Sequence, residues 1–103
     1  MSDNYTLIVY TSPVDGREAE YHAWYDDVHL AEFSALPGVI SGRRFKVISP
    51  APDGKPTFAA LYEVSGDPRA VFAAMDAGIK DGTVHMSDAV DSTSVTVVTL
   101  EPR

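Results

Sequence analysis

Six segments of the chain have strand-like or helix-like residue patterns, and their order limits the possible folds more than any other feature. The strand-like segments are rich in β-branched, aromatic and other apolar residues, whereas the helix-like segments repeat apolar residues every three or four positions. The predicted strands cover residues 5–11, 39–49, 57–64 and 94–100. The predicted helices cover residues 17–35 and 68–79. The chain therefore has the order β-α-β-β-α-β.

Glycine, proline and capping residues mark where these elements end. Leu36-Pro37-Gly38 stops the first helix, because glycine favours the conformation that follows a helix C-terminus. Residues 50–56 contain an Asp-Gly pair typical of a hairpin turn. Asp67 followed by Pro68 has the pattern of an N-cap and a first helical residue. Residues 83–92 form a connection whose structure the pattern does not predict.

The element order predicts an α+β, ferredoxin-like fold, with a single domain over residues 1–103. In this arrangement four strands form one antiparallel sheet, and both helices pack on one face of it. The strands at 5–11 and 95–100 are apolar at both alternating positions, so the second face of the sheet is apolar as well. We expect a second copy of the chain to cover that face in a two-fold homodimer.

Charge and composition narrow the possible partners. The chain has 15 acidic and 8 basic residues and a formal net charge of −7, which disfavours nucleic acid and anionic membranes because both attract basic proteins. It has no cysteine, so thiolate nucleophiles and thiolate metal ligands are excluded. No secretion signal is visible, and no apolar run approaches the roughly 20 residues of a membrane span. The expected location is the cytoplasm.

The densest group of reactive and aromatic residues is WYDDVH at positions 24–29. His29 follows Tyr25 by four residues and Asp26 by three, so α-helical spacing places all three on one face. Histidine is the usual proton carrier near neutral pH, and Asp26 could orient or charge-stabilise its ring. Trp24 and Tyr25 would supply an apolar wall. The same spacing is also typical of core aromatic residues beside a surface His–Asp pair, which is the alternative interpretation.

Three further side chains are candidates for contacting a substrate at the same place. Phe33 continues the helix face that carries His29, and Tyr62 on the third predicted strand could face the helices. Arg43 and Arg44 are adjacent on the second predicted strand and therefore point to opposite faces of the sheet. We predict substrate contacts for Phe33, Arg43 and Tyr62, and the choice between the two arginines stays open. Core packing of the aromatic residues and a surface ion pair of the arginine are the alternatives.

Metal and cofactor chemistry find little support in the sequence. His22, Asp26 and His29 share a polar stripe, and His85 could add a ligand, but the spacing is not His-Glu-x-x-His and one helix gives a loose ligand geometry. No Gly-rich phosphate loop and no Gly-x-Ser-x-Gly sequence is present. We therefore predict neither a metal nor a cofactor.

Residues 18–46 resemble a known family. The stretch from Glu20 to Leu30, which contains Trp24-Tyr25 and His29, is followed by Leu36-Pro37-Gly38-Val39 and Ser41-Gly42-Arg43-Arg44-Phe45. Together these motifs resemble the EthD-like group of the dimeric α/β-barrel superfamily, whose members carry Trp-Tyr, a His four residues after the Tyr, and a Pro-Gly turn into an Arg-aromatic strand. Many relatives have a proline soon after the histidine, where this chain has Leu30-Ala31.

The resemblance implies a ferredoxin-like fold, a dimer whose sheets pack together, and a pocket between helix and sheet in each subunit. The family histidine corresponds to His29, and the family aromatic pair corresponds to Trp24 and Tyr25. The superfamily includes muconolactone-type isomerases, polyketide cyclases, dehydratases, cofactor-independent monooxygenases, haem-handling enzymes and stress-response proteins. The fold does not choose among these functions.

Three functions follow as hypotheses. The leading one is a cofactor-independent enzyme of the isomerase or lyase type, including cyclases and dehydratases, in which His29 moves a proton on a small, mostly apolar carbonyl or aromatic, polyketide-like substrate. The second is a cofactor-independent monooxygenase of hydroquinone-like substrates. The third is a non-catalytic protein that binds haem or another small ligand, with His29 or His22 as the axial ligand of a haem.

Overall fold

The computed structural model describes residues 4–49 and 54–103. Its strands are β1 Asn4–Thr11, β2 Val39–Lys46, β3 Phe58–Ser65 and β4 Thr96–Leu100. Its helices are α1 Glu18–Trp24, α2 Leu30–Ser34 and α3 Pro68–Asp81. A π-helical turn, Tyr25–His29, joins α1 to α2, and a 3-10 turn, Ser92–Ser94, precedes β4. The predicted order of strands and helical regions is confirmed.

The first helical region runs continuously from Glu18 to Ser34 but changes its winding in the middle. In its π-helical turn, hydrogen bonds join residues five apart, so side chains five apart come to lie above one another. The second helical region, α3, has the predicted N-cap, because the Asp67 side chain accepts a hydrogen bond from the Arg69 amide. It ends at Gly82, whose φ of 88° is the left-handed conformation that favours glycine.

The four strands form one antiparallel sheet in the order β2-β3-β1-β4. Leu7 of β1 pairs in register with Tyr62 of β3. Both side chains are buried with Val64 and the helical residues Tyr21 and Phe33 in a single core on one face of the sheet. The fold is therefore α+β and ferredoxin-like, with the helices on one face as predicted.

Gly42 allows the closest approach between helix and sheet. It lies opposite Tyr62 in the register of β2 and β3. A Cβ at this position would lie 2.6 Å from Ser34 Oγ and 2.8 Å from two atoms of the Tyr62 ring. Because these distances are well below van der Waals contact, only glycine lets α2 and the Tyr62 ring come this near to β2.

The other face of the sheet, here called the open face, presents apolar side chains to the surface. It carries the alternate residues of the strands, including Ile8, Tyr10 and Leu61, and no helix in residues 4–49 or 54–103 lies over it. A groove of about 370 Å³ crosses this face, and Phe45 and Ile48 at its side are 43% and 78% exposed. Such a patch is unusual for a surface that stays in contact with water.

The structure also shows the arrangement of residues 83–92, the connection whose structure the sequence pattern does not predict. Val84 and Ala89 in residues 83–92 are buried, and the Asp91 amide donates to the Ser12 carbonyl. This segment therefore packs against the helix side of the sheet. In the predicted hairpin loop, residues 50–53 lie outside the described residues.

Candidate active site

A cavity of about 120 Å³ lies between the helices and the sheet, at the place where the sequence predicted a pocket. Most of its lining atoms are apolar, and its polar groups come mainly from His29, Thr11 and two tyrosines. The residues with the largest side chains in the lining are Trp24, Tyr25, Phe33, Tyr62, Phe72 and Met75. An engineered apolar cavity of roughly 150 Å³ in an unrelated protein holds benzene. At about 120 Å³ this cavity is of similar size, which suits a ligand no larger than one aromatic ring.

The π-helical turn determines where His29 points. Trp24 and His29 are five residues apart, and their rings stack at 4.5 Å with an angle of 20° between their planes. Tyr25 meets the imidazole edge to face at 5.1 Å. An α-helix would separate residues five apart by well over a quarter turn, so the stack depends on the wider π-helical winding. π-Helical turns inside α-helices occur frequently at functional sites.

His29 is a neutral base with no protein partner at one of its nitrogens. The side chain is 7% exposed. Burial lowers the pKa of His29 to about 4, because the apolar surroundings penalise the cation, and Glu32 only partly opposes this. Nδ1 is buried and has no hydrogen-bond partner among the described residues. Since buried polar atoms normally have partners, this nitrogen is suited to a ligand group.

Two buried tyrosines supply neutral hydroxyl groups to the same cavity. Burial raises the pKa of Tyr25 to about 12 and raises the pKa of Tyr62 as well. The Tyr62 ring packs on Phe33 at 4.2 Å, and its buried hydroxyl has no partner at regular hydrogen-bond geometry among residues 4–49 and 54–103, although it interacts with the Tyr25 hydroxyl. Both phenols stay protonated near neutral pH, so each can donate a hydrogen bond to an oxygen of a ligand.

The structure does not bring Asp26 to His29, which corrects the predicted pairing. The Asp26 carboxylate accepts a hydrogen bond from Arg44 Nη1 at 2.7 Å, and His22 Nδ1 lies 3.2 Å from the same nitrogen. The prediction assumed α-helical spacing, whereas the π-helical turn rotates Asp26 away from His29 and toward β2. Among residues 4–49 and 54–103, no carboxylate therefore forms a hydrogen bond to the His29 ring.

Arg43 was predicted to contact a substrate, but the structure does not place it at the cavity. It is exposed on the open face, where its guanidinium lies 5.1 Å from the centre of the Phe45 ring. Arg44, one residue later, points to the helix side of the sheet and lies over the Tyr25 ring at 4.3 Å. Neither arginine lines the cavity. By contrast, the predicted residues Trp24, Tyr25, His29, Phe33 and Tyr62 all line it.

Residues from β1, α3, the connection after α3 and the start of β4 complete the cavity and were not predicted. Phe72 and Met75 come from α3, and Met86 comes from the connection after it. Phe72 and Met75 are three residues apart on a helix, which is a signal for a shared face, but only the topology shows which face meets His29. His85, beside Met86, pairs with Glu32 through Nδ1 at 2.6 Å, whereas His22 contacts Arg44.

The described residues, 4–49 and 54–103, contain no group of three or more histidine or carboxylate side chains arranged to hold a metal ion. They also contain no helix with the length and hydropathy of a membrane span.

Acid should destabilise the protein through His29. The unfolded chain has the ordinary pKa near 6.5, and the folded state has about 4, so the unfolded state binds the extra proton first as the pH falls. This contribution to stability is present above pH 6.5 and is lost as the pH falls toward 4. Between pH 7 and pH 5 we expect a loss of about 2 kcal/mol in the free energy of unfolding.

Urea denaturation at the two pH values measures this loss. The His29→Gln variant should lose most of the pH dependence, whereas His85→Gln, at an exposed histidine, should keep it. If the free energy of unfolding changed equally with pH in the wild type and in His29→Gln, the His29 imidazole would not be buried in its neutral form.

The fold and the site together define a class: a ferredoxin-like α+β domain with an aromatic cavity between helix and sheet. No family model matches the sequence, and no curated protein matches it. Solved structures do match. An EthD-family protein from Bacillus halodurans C-125 has a TM-score of 0.64 and 17% identity, over 96% of this chain and 99% of that one.

Two further solved structures have the same fold. A candidate monooxygenase from Shewanella loihica PV-4 has a TM-score of 0.59 and 17% identity, over 100% of this chain and 97% of that one. A single-site variant of SnoaB, a cofactor-independent oxygenase from Streptomyces nogalater, has a TM-score of 0.56 and 14% identity, over 95% of this chain and 89% of that one. The chain thus has the fold that its sequence resemblance implied, and at these identities the likeness concerns the fold alone.

Proposed function

We propose that the protein is a small, cofactor-independent oxygenase that acts on a phenol or enol conjugated with a carbonyl group. The observation that carries this proposal is the neutral imidazole of His29, with an unpartnered nitrogen, in an aromatic cavity. The oxygenase names of two structural neighbours support the same choice. An apolar cavity also suits dioxygen, which is itself apolar.

In this proposal, His29 takes the proton of the substrate hydroxyl. Moving a proton from an ordinary phenol, with a pKa near 10, to a base near 4 would cost about 8 kcal/mol before the two ions attract each other. Phenols and enols that a conjugated carbonyl makes more acidic are therefore favoured. The Tyr62 hydroxyl, which has no partner of its own among the described residues, would donate to the anionic oxygen.

The electron-rich anion would then react directly with dioxygen, without a cofactor. A phenol with hydrogen on its para carbon becomes a quinone: that carbon gains one oxygen atom, and the two hydrogens lost leave with the other oxygen atom as water. The substrate supplies all the electrons that reduce dioxygen. The protein supplies the base, the hydrogen-bond donor and the apolar walls.

An isomerase or lyase is the second candidate, because the same base and donor could move a proton next to a carbonyl. Its support is the unpartnered Tyr62 hydroxyl, which could hold an enolate oxygen. The haem-binding hypothesis is less favoured, since a cavity of about 120 Å³ accommodates one ring rather than a macrocycle.

Oxygen uptake separates the two reactions. Single-ring phenols that are conjugated with a carbonyl group and carry hydrogen on the para carbon would be supplied with ¹⁸O₂ and, in parallel, without oxygen. Uptake of one O₂ per substrate and one ¹⁸O atom in the product would support the oxygenase. Conversion without oxygen would support the isomerase or lyase instead, and binding without conversion under either condition would contradict both enzymatic proposals.

We also propose that two copies pair through their open faces. Apolar residues on this face include Ile8, Phe45 and Leu61, and the groove between them is exposed. A second copy is a suitable cover, because a two-fold dimer buries the same patch on both partners. The sheets of the two chains would then enclose a shared apolar layer.

A further inference from the structure

A largely buried cation, the guanidinium of Arg44, lies beside the candidate active site, and the proposed proton transfer does not use it. The guanidinium of Arg44 lies 4.3 Å from the centre of the Tyr25 ring, and Tyr25 also lines the cavity. The rings of Tyr21 and Phe58 lie 5.3 and 5.7 Å from the same guanidinium carbon. Aromatic faces stabilise a cation that has lost most of its water.

Arg44 has fewer polar partners than its donors require. Nη1 donates to Asp26 at 2.7 Å and contacts His22 Nδ1 at 3.2 Å, but Nε and Nη2 are buried with no partner among the described residues. The Asp26 side chain is 58% exposed, so water screens part of its charge. The positive charge of the Arg44 guanidinium is therefore only partly balanced by its polar neighbours.

Tyr25 and Tyr62 connect this charge to the cavity. Burial dominates and raises the pKa of both phenols, while the positive charge of Arg44 acts in the opposite direction on each. Hydroxyl dipoles orient in the field of nearby charges, with oxygen toward a cation and hydrogen away from it. In this field the O–H groups of Tyr25 and Tyr62 would point away from Arg44, and Tyr62 would donate toward Tyr25; both side chains line the cavity.

We propose that Arg44 is a positioning residue: it orients the Tyr25 and Tyr62 hydroxyls and so favours the anionic form of a phenol or enol bound beside His29, without touching that ligand. Asp26 has the opposite effect, since its carboxylate offsets part of the Arg44 charge. The inference takes its class of ligand from the proposed function. It does not depend on the reaction that follows ionisation.

The test uses 4-nitrophenol, a single-ring phenol whose anion is coloured. Its ionisation when bound would be titrated by absorbance in the wild type and in two variants. Arg44→Gln should raise the pKa of bound nitrophenol by about one unit, and Asp26→Asn should lower it. Arg69→Gln, at an exposed arginine paired with Asp67 on the surface of α3, should leave it unchanged.

Shifts in opposite directions would support the proposal, because a general loosening of the fold would move both variants the same way. If Arg44→Gln fails to fold, Asp26→Asn decides the question, since it removes a largely exposed carboxylate. Equal ionisation in wild type and Asp26→Asn, or failure of the wild type to bind nitrophenol, would overturn the proposal. Absence of oxygen uptake would refute the oxygenase but would not change these titrations.

Discussion

Replacing His29 by glutamine should lower kcat for the productive substrate by roughly 10²–10⁴-fold, the range that a positioned general base contributes. Glutamine keeps a polar side chain in the cavity but cannot take up a proton near neutral pH. KM should change much less, because aromatic walls such as Trp24 and Phe33 supply most of the contact with an apolar substrate. Initial rates of oxygen uptake at saturating substrate measure the effect.

The matched control is His85→Gln. This histidine is exposed and pairs with Glu32, and its side chain does not line the cavity. Its rate should stay within about twofold of wild type, as is usual for surface substitutions away from a site. If the His29→Gln variant kept the wild-type rate, His29 would not be the general base, and the cavity would be a binding site only.

Replacing Leu61 by lysine should convert the dimer proposed above into a monomer. Leu61 lies at the groove of the open face, on a central strand of the sheet. In a dimer that buries this face, the new ammonium group would lie in an apolar layer without a partner, which costs several kcal/mol on each side of a two-fold interface. In a monomer the same group would remain in water.

Light scattering on a sizing column would measure the mass, which is 11.1 kDa for one chain and twice that for a dimer. Ala77→Lys, at an exposed position of α3 on the helix side, should leave the dimer intact. A wild-type protein of 11.1 kDa would contradict the pairing of open faces.

The order of elements could be predicted because periodicity and chain breakers are local properties. Pro37-Gly38 and Asp67-Pro68 mark helix ends through the conformations that proline, glycine and a capping carboxylate favour. The structure places the first helical region at Glu18–Ser34, against a prediction of 17–35. The strand pattern also indicated two apolar faces, and the open face has that character.

The site was predictable in part. Trp24, Tyr25 and His29 line the cavity, but the geometry that unites them does not follow from α-helical spacing. Nothing in local propensity distinguishes a helix with one wide turn from a regular helix, since packing against the sheet determines it. That is why Asp26 was predicted beside His29 and is found with Arg44.

The sequence does contain a signal that distinguishes Arg43 from Arg44, namely the position of Gly42. Gly42 and Arg44 are two residues apart and therefore point to the same side of β2. A glycine among larger strand residues often marks a close approach by another element. Here that element is α2, so the parity of Gly42 identifies the helix side, and Arg44 with it.

The π-helical turn at Tyr25–His29 has a consequence for how such a site can be gained or lost during evolution. A π-helical turn is an α-helix that carries one additional residue, so one in-frame codon separates the two forms. Loss of the exposed Asp27, for example, would restore regular winding and leave Trp24 and His29 four residues apart, so the two rings would still share one face of the helix. The stacked pair could therefore outlast the gain or loss of this one residue, whereas the side chains carried by the wide turn itself would change position.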